Sequence, residues 1–172
     1  MAAGKSTVAQ ALAEQFPQSV HLRGDLFRRM IVNGRAEMGF ELTPEAQEQL
    51  ELRYRIATEV AGIYLQSGFT VVYQDILIGK GLTEAVQRLR HHPLYVVVLC
   101  PSAEAVAERE ASREKIGYGN LSITDFDRVL REETPRFGYW LDSSHQTGEQ
   151  TVHDILANLI NAHIAEHLHG ER

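Results

Sequence analysis

Apolar and polar positions along the chain follow two periods in alternation, one helical and one extended. From Ser6 to Phe16, Val8, Ala11, Leu12 and Phe16 share one side of a short amphipathic helix that Pro17 ends. Ser19 to Leu22 predicts a brief strand, and Arg23-Gly24-Asp25 turns out of it. Asp25 can cap a short helix over Leu26 to Val32, which breaks at Asn33-Gly34. Thr43-Pro44-Glu45 predicts a helix start, with Thr43 as N-cap and Pro44 in the first turn. Ala46, Leu50, Tyr54, Ala57, Ala61 and Tyr64 then keep near-helical spacing until Ser67-Gly68.

The second half repeats the alternation. Phe69 to Tyr73 is a compact apolar run, as expected for a strand covered on both faces, and Gln74-Asp75 lie at its C-terminal end. Leu82 to Leu89 is helical, and Leu94 to Leu99 is the strongest buried strand. Pro101-Ser102 opens a helix over Ala103 to about Lys115, and Gly117-Tyr118-Gly119-Asn120 reads as a hinge before another helix over Thr124 to Glu133. Phe137 to Leu141 is a last short strand. A closing helix from Thr151 to about His167 should bury Val152, Ile155, Leu156, Leu159, Ile160 and Ile164. Strands alternating with helices predict an α/β domain with a parallel sheet. In such sheets ligands gather at the carboxyl ends of the strands. Gly4-Lys5, Arg23-Gly24-Asp25, Gln74-Asp75 and Pro101 all fall at such ends, which predicts one site.

The 172 residues, 44% hydrophobic and 23% charged, suit one soluble domain spanning residues 1–172 with a sizeable core. A net charge of −6 counts against nucleic-acid binding, which usually needs a basic face. Cys100, the single cysteine, excludes an internal disulfide and reads as a small buried hydrophobe in a reducing cytoplasm. No apolar run approaches a membrane span, and the first residues lack the basic and apolar regions of a signal peptide. The expectation is a cytoplasmic chain with no membrane partner.

The most specific chemistry lies in Ala3-Gly4-Lys5-Ser6-Thr7, the closing half of a phosphate-binding loop, G-x-x-x-x-G-K-[ST]. Backbone N–H groups and the helix N-terminus there cradle phosphate. Lys5 would reach the β/γ-phosphates of ATP, Ser6 would hold Mg²⁺, and Thr7 would join the Gly4 and Lys5 N–H groups on phosphate oxygens. The motif's first glycine would fall one position before Met1, and the strand that should launch the loop is missing. The missing strand belongs between those at 69–73 and 94–99, at the centre of the sheet. The expectation is that Met1 is an internal methionine of a longer protein.

Asp25, at a strand end, suits a general base for an attacking hydroxyl, and Arg28, three residues on, projects to its side of a helix, suited to orient the acceptor or steady the transferring phosphoryl. The same pair also reads as a helix cap with a surface arginine. Arg29 and Arg35 are weaker candidates for an anionic acceptor. Asp75 suits a metal-water carboxylate, an acceptor contact or a turn former, and spacing does not divide these. Arg109 and Arg113, four apart, suit stacking on adenine and reaching phosphates, or equally a solvated face paired with Glu108 or Glu110. Arg128, Arg131 and Arg136 are candidates to close on the γ-phosphate. His163, His167 and His169 read as a polar helix end, His91-His92 as a loop, and Tyr139 and Trp140 as packing on the sheet.

On Ala3-Gly4-Lys5-Ser6-Thr7, Gly24-Asp25, Val71 to Gly79, Val96-Val97-Val98 with Arg109 and Arg113, and Trp140-Leu141-Asp142-Ser143, the chain resembles the small P-loop kinases. It is most similar to the chloramphenicol phosphotransferase-like and gluconate/shikimate kinase-like groups. The resemblance implies a P-loop NTPase three-layer sandwich whose first, central strand is missing here. It implies ATP·Mg²⁺-dependent phosphoryl transfer to a hydroxyl of a small-molecule acceptor, with Asp25 as base, Lys5 and Ser6 at phosphate and metal, and a lid over about 115–136. Asp25-x-x-Arg28 is also similar to the acceptor motif of polynucleotide 5′-kinases. A nucleotide-binding module that hydrolyses ATP slowly is the alternative from another class.

Overall fold

Gly4 holds a left-handed backbone (φ 79°), and the first helix, α1 (Lys5–Ala13), starts directly after it. A computed structural model describes residues 2–39, 41–112 and 122–165. Strand β1 (Ser19–Arg23) follows α1 and leads into the short α2 (Asp25–Arg29). Helix α3 (Pro44–Gln66) begins as its sequence predicts, with the Thr43 hydroxyl accepting from the Ala46 N–H at 3.2 Å and Pro44 in the first turn. It buries Ala46, Tyr54, Ala57 and Ala61.

Strand β2 (Thr70–Gln74) runs parallel to β1 in a register of Ser19 with Thr70 through Arg23 with Gln74. Helix α4 (Lys80–Leu89) turns Leu82, Ala85, Val86 and Leu89 inward. The apolar run at 94–99, expected as one strand, is two: β3 (Leu94–Tyr95) and β4 (Val97–Leu99). Val96 divides them because its N–H donates to Ala162 O at 2.8 Å while its carbonyl accepts from Tyr139 N at 2.9 Å. The chain thus changes partner at that residue.

Helix α5 (Ala103–Ala111), α6 (Ile123–Arg128), a π-helical turn (Val129–Glu133) and β5 (Tyr139–Leu141) follow. Strand β5 pairs parallel with β4, Val97 against Tyr139. The Gly117–Asn120 hinge lies outside the described residues. The closing helix is also divided. Helix α7 (Gly148–Ala157) ends at Asn158, whose side chain turns back to Asp154 O at 3.0 Å, before the short α8 (Leu159–Ala162). This break rotates Ile160 out of the stripe, leaving it 86% exposed instead of buried. His163–Ile164 then forms β6, antiparallel to β3.

Among the described residues the strands form three pairs, β1–β2, β3–β6 and β4–β5, and none joins β2 to β4. Between them lies an apolar cavity of about 690 Å³, lined by Val71 and Tyr73 of β2, Val96 and Val98, and Val8 of α1. The buried apolar side chains fall into separate clusters around it. Leu22, Ala61 and Leu89 form one beside β1 and β2, and Val8, Leu141, Val152 and Ile155 another beside β4 and β5.

Candidate active site

The first turn of α1 meets the carboxyl end of β2 through Ser6 and Gln74. Helices α3, α5, α6 and α7 each have a Thr or Ser hydroxyl accepting from a first-turn N–H. Helix α1 has no side-chain cap and no acidic residue in its first turn. Its leading N–H groups and the helix dipole therefore suit a phosphate, and the donors present fit a nucleotide's phosphate chain. Ser6 and Thr7 are exposed, Lys5 and Ala3 half-buried, and Ala2 packs against Val106, Ile123 and Phe126.

Ser6 Oγ donates to Gln74 Oε1 at 3.1 Å, linking the first turn of α1 to the carboxyl end of β2. Sequence reasoning left Asp75 open as a metal-water carboxylate, an acceptor contact or a turn former. At the end of β2 it is Gln74 that faces Ser6, because successive residues of an extended strand point to opposite faces. Asp75 is on the other side, with its side chain 1% exposed. Its carboxylate accepts from Arg53 Nη2, from the Tyr73 hydroxyl at 2.9 Å and from the Ile76 N–H at 2.7 Å. Burial pushes the Asp75 carboxyl up from its ordinary range, opposed chiefly by the Arg53 guanidinium. Burial likewise raises both neighbouring phenols, Tyr54 to about 12 and Tyr73 further, with Asp75 adding to the rise at Tyr73.

This buried group supports the turn that carries Asp25. A side-chain carbon at Gly24 would collide with the Asp75 carboxylate. The Gly24 N–H donates to Gln74 O at 3.0 Å, so the turn is fixed to the end of β2 from both sides. Asp25 begins α2 with its side chain 30% exposed. Its Oδ2 is held by Arg29 Nη2 at 2.6 Å and its Oδ1 lies 3.8 Å from Arg23 Nε, with no hydrogen-bond partner among the described residues. Arg28 does not itself pair with Asp25. It stands at i+3 and donates from Nη2 to Ala36 O, whereas Arg29 at i+4 closes on the carboxylate.

Arg109 donates from Nη2 to the carbonyls of Ser143 and Ser144 at 2.6 and 3.0 Å, fastening α5 to the loop after β5. That commits its Nη2 to backbone carbonyls. Arg113 lies outside the described residues. Within the expected lid the described part, from residue 122, is fastened to the body. Ile123 and Phe126 pack on Ala2 and Val106, Arg131 donates to Cys100 O and Pro101 O at 3.2 Å, and Thr134 Oγ1 accepts from Gly79 N at 2.9 Å. Arg128 pairs with Glu133 at 2.7 Å, and Arg136 stacks 3.9 Å from the Trp140 ring centre.

His163 lies in β6, and His167 and His169 fall outside the described residues. No group of three or more His, Cys, Asp or Glu among the described residues is arranged to hold a metal, and none of their helices is long and apolar enough to cross a membrane. Cys100 is buried, and burial raises its thiol. Sequence reasoning missed Gln74 as the partner of Ser6, and Arg53. The available signal for Arg53 was an arginine beside Tyr54 on the buried stripe of α3.

No curated protein matches the chain. Among solved structures, a "putative kinase" from Chloroflexus aurantiacus J-10-fl is similar in fold, with a TM-score of 0.61 and 21% identity over 93% of this chain and 91% of that one. The α/β architecture, the Gly4-Lys5-Ser6 loop opening α1 and the site at the strand ends are those of a P-loop NTPase. The AAA_33 family, an AAA domain, matches residues 1–132, more than half of the sequence, and the chain belongs to that family.

Proposed function

We propose that the chain is an ATP-dependent phosphotransferase that moves the γ-phosphoryl group of ATP to a hydroxyl of a small molecule. The observation that carries this reading is the juxtaposition at one sheet end. Uncapped α1 with Lys5 and Ser6, Gln74 at the end of β2, and Asp25 after β1 lie at one end of the β1–β2 pair, where Arg23 pairs with Gln74 in register.

ATP with Mg²⁺ supplies the transferable phosphoryl group. Lys5 and the first-turn N–H groups of α1 are the residues to hold its phosphates, and Ser6, beside Gln74, the residue to hold the metal. Asp25 accepts the proton of the acceptor hydroxyl as that oxygen bonds to the γ-phosphorus and the bond from phosphorus to the bridging oxygen breaks to release ADP, while Arg29 steadies the carboxylate through Oδ2. Catalysis of this kind rests on positioning and charge neutralisation. Arg109 is placed to shape the nucleotide side by holding the Ser143-Ser144 backbone.

A second reading, an ATP-hydrolysing module without an acceptor, draws on one observation: Asp25 already has Arg23 and Arg29 around it. ADP release measured with and without a panel of hydroxyl compounds separates the two. The phosphotransferase reading expects release that depends on an acceptor and is lost in Lys5→Ala. Release at one rate throughout would favour the hydrolytic module.

A further inference from the structure

Helix α3, at 23 residues the longest helix among the described residues, has apolar side chains on two opposite faces. The inner face buries Ala57 and Ala61, where α3 packs on β2 and α4. At 3.6 residues per turn the opposite face carries Leu52, Ile56, Glu59 and Ile63. Leu52 is 40% exposed, Ile63 62%, and Ile56 half-buried between them. Steps of four, three and four residues are the spacing of a seam between two helices. An outward stripe of this kind marks a surface for association.

The polar residues beside the stripe narrow what can cover it. Arg55 and Glu59 are exposed and lie along one flank. They stand four apart, yet among the described residues neither forms an ion pair or a side-chain hydrogen bond. Arginine before glutamate is the weaker order for a pair within one helix. At Gly62, on the same flank, an added side-chain carbon would meet nothing within 4 Å, so another backbone can come close there.

A second α3 laid antiparallel meets each of these features. Leu52 of each copy then faces Ile63 of the other. In an antiparallel pair each flank of the seam meets the same flank of the other helix, so Arg55 of each copy reaches Glu59 of the other, twice by symmetry. A parallel pair would instead turn both charges toward the apolar flank at Ile56. The face is therefore complementary to itself in one orientation only.

We propose that the outward face of α3 is where two copies of this chain pair, antiparallel about a two-fold axis. A seam along one helix buries less than the roughly 1,200–2,000 Å² of stable complexes, so the dimer forms reversibly as concentration rises. It leaves the inner face of α3, with Arg53 and Asp75, undisturbed.

Sedimentation equilibrium of the whole chain, from low-micromolar to near-millimolar concentration, tests the pairing without nucleotide or acceptor. The average mass should climb from one chain toward two. Ile63→Glu should hold it at one chain, and Leu52→Gln, a milder change at the facing position, should weaken association if Ile63→Glu folds poorly. Arg55→Glu should raise the dimer dissociation constant about tenfold or more, and adding Glu59→Arg to it should restore most of the loss. Val32→Glu and Ile160→Glu, at side chains 89% and 86% exposed elsewhere, should leave the dimer unchanged. A single chain at every concentration would overturn the proposal. So would a dimer indifferent to both Ile63→Glu and Leu52→Gln, or one lost in Val32→Glu or Ile160→Glu. Failure of the charge exchange to recover association would overturn the antiparallel arrangement.

Discussion

Ser6 and Gln74 meet side chain to side chain, the Ser6 hydroxyl donating to the Gln74 carbonyl oxygen at 3.1 Å. The contact joins the helix start that suits phosphate to the strand end where a metal-bound water is expected. A carboxylate at position 74 would add a hard, charged oxygen at that place. In Gln74→Glu the Mg²⁺ concentration giving half-maximal ATP turnover should fall about tenfold, the equivalent of roughly 1.4 kcal/mol. A Mg²⁺ titration at fixed ATP measures it, and an unchanged requirement would remove Gln74 from the metal side.

The Arg53–Asp75 pair is nearly closed to water, with side-chain exposures of 10% and 1%. Removing one partner leaves the other charge buried and unpaired, which costs about 3–5 kcal/mol. Asp75→Leu should therefore lower the urea midpoint strongly, and Arg53→Met added to it should restore part of the loss. Chemical denaturation of the two single variants and the double variant reads the coupling directly.

Gly24 leaves no room for a side chain, because the Asp75 carboxylate occupies the space. Gly24→Ala should cost about 1–3 kcal/mol by overpacking. It should also lower turnover beyond what the lost stability explains, since the turn that presents Asp25 must shift. Measuring kcat well below the unfolding temperature, beside the denaturant midpoint, separates the two effects.

The long elements were legible because their signals are local. Thr43-Pro44 and the spacing of Ala46, Tyr54, Ala57 and Ala61 define α3, and the apolar runs at 69–73 and 94–99 locate strands. What escaped depends on partners distant in sequence. The run at 94–99 carries no sign that Val96 switches from Ala162 to Tyr139, and the stripe through Ile160 carries none of the break at Asn158. At the site, single-residue phase decided the outcome. Arg29, at i+4 on α2, reaches Asp25, and Gln74 rather than Asp75 faces Ser6, since one step along a strand turns a side chain to the other face.

His21, in the middle of β1, contacts Gln10 Oε1 through Nδ1 at 3.0 Å, while its Nε2 is buried without a partner. Burial lowers its pKa from 6.5, opposed most by the neighbouring Gln74 side chain. The folded chain thus keeps this ring neutral at pH values where the unfolded chain protonates it. Stability should decline as pH falls through about 6.5, as the unfolded state takes up the proton first. His21→Gln should remove that part of the slope in urea midpoints recorded between about pH 5 and 8.

Asp25, held by Arg29 on one oxygen and without a hydrogen bond on the other among the described residues, is the residue on which the assignment turns. Replacing a general base usually costs about 10²–10⁴ in rate. The decisive measurement is single-turnover transfer from ATP to an acceptor in Asp25→Ala, run beside titration with a non-hydrolysable ATP analogue. The account predicts transfer reduced by about two orders of magnitude or more with analogue affinity nearly intact. Transfer at the wild-type rate would contradict it.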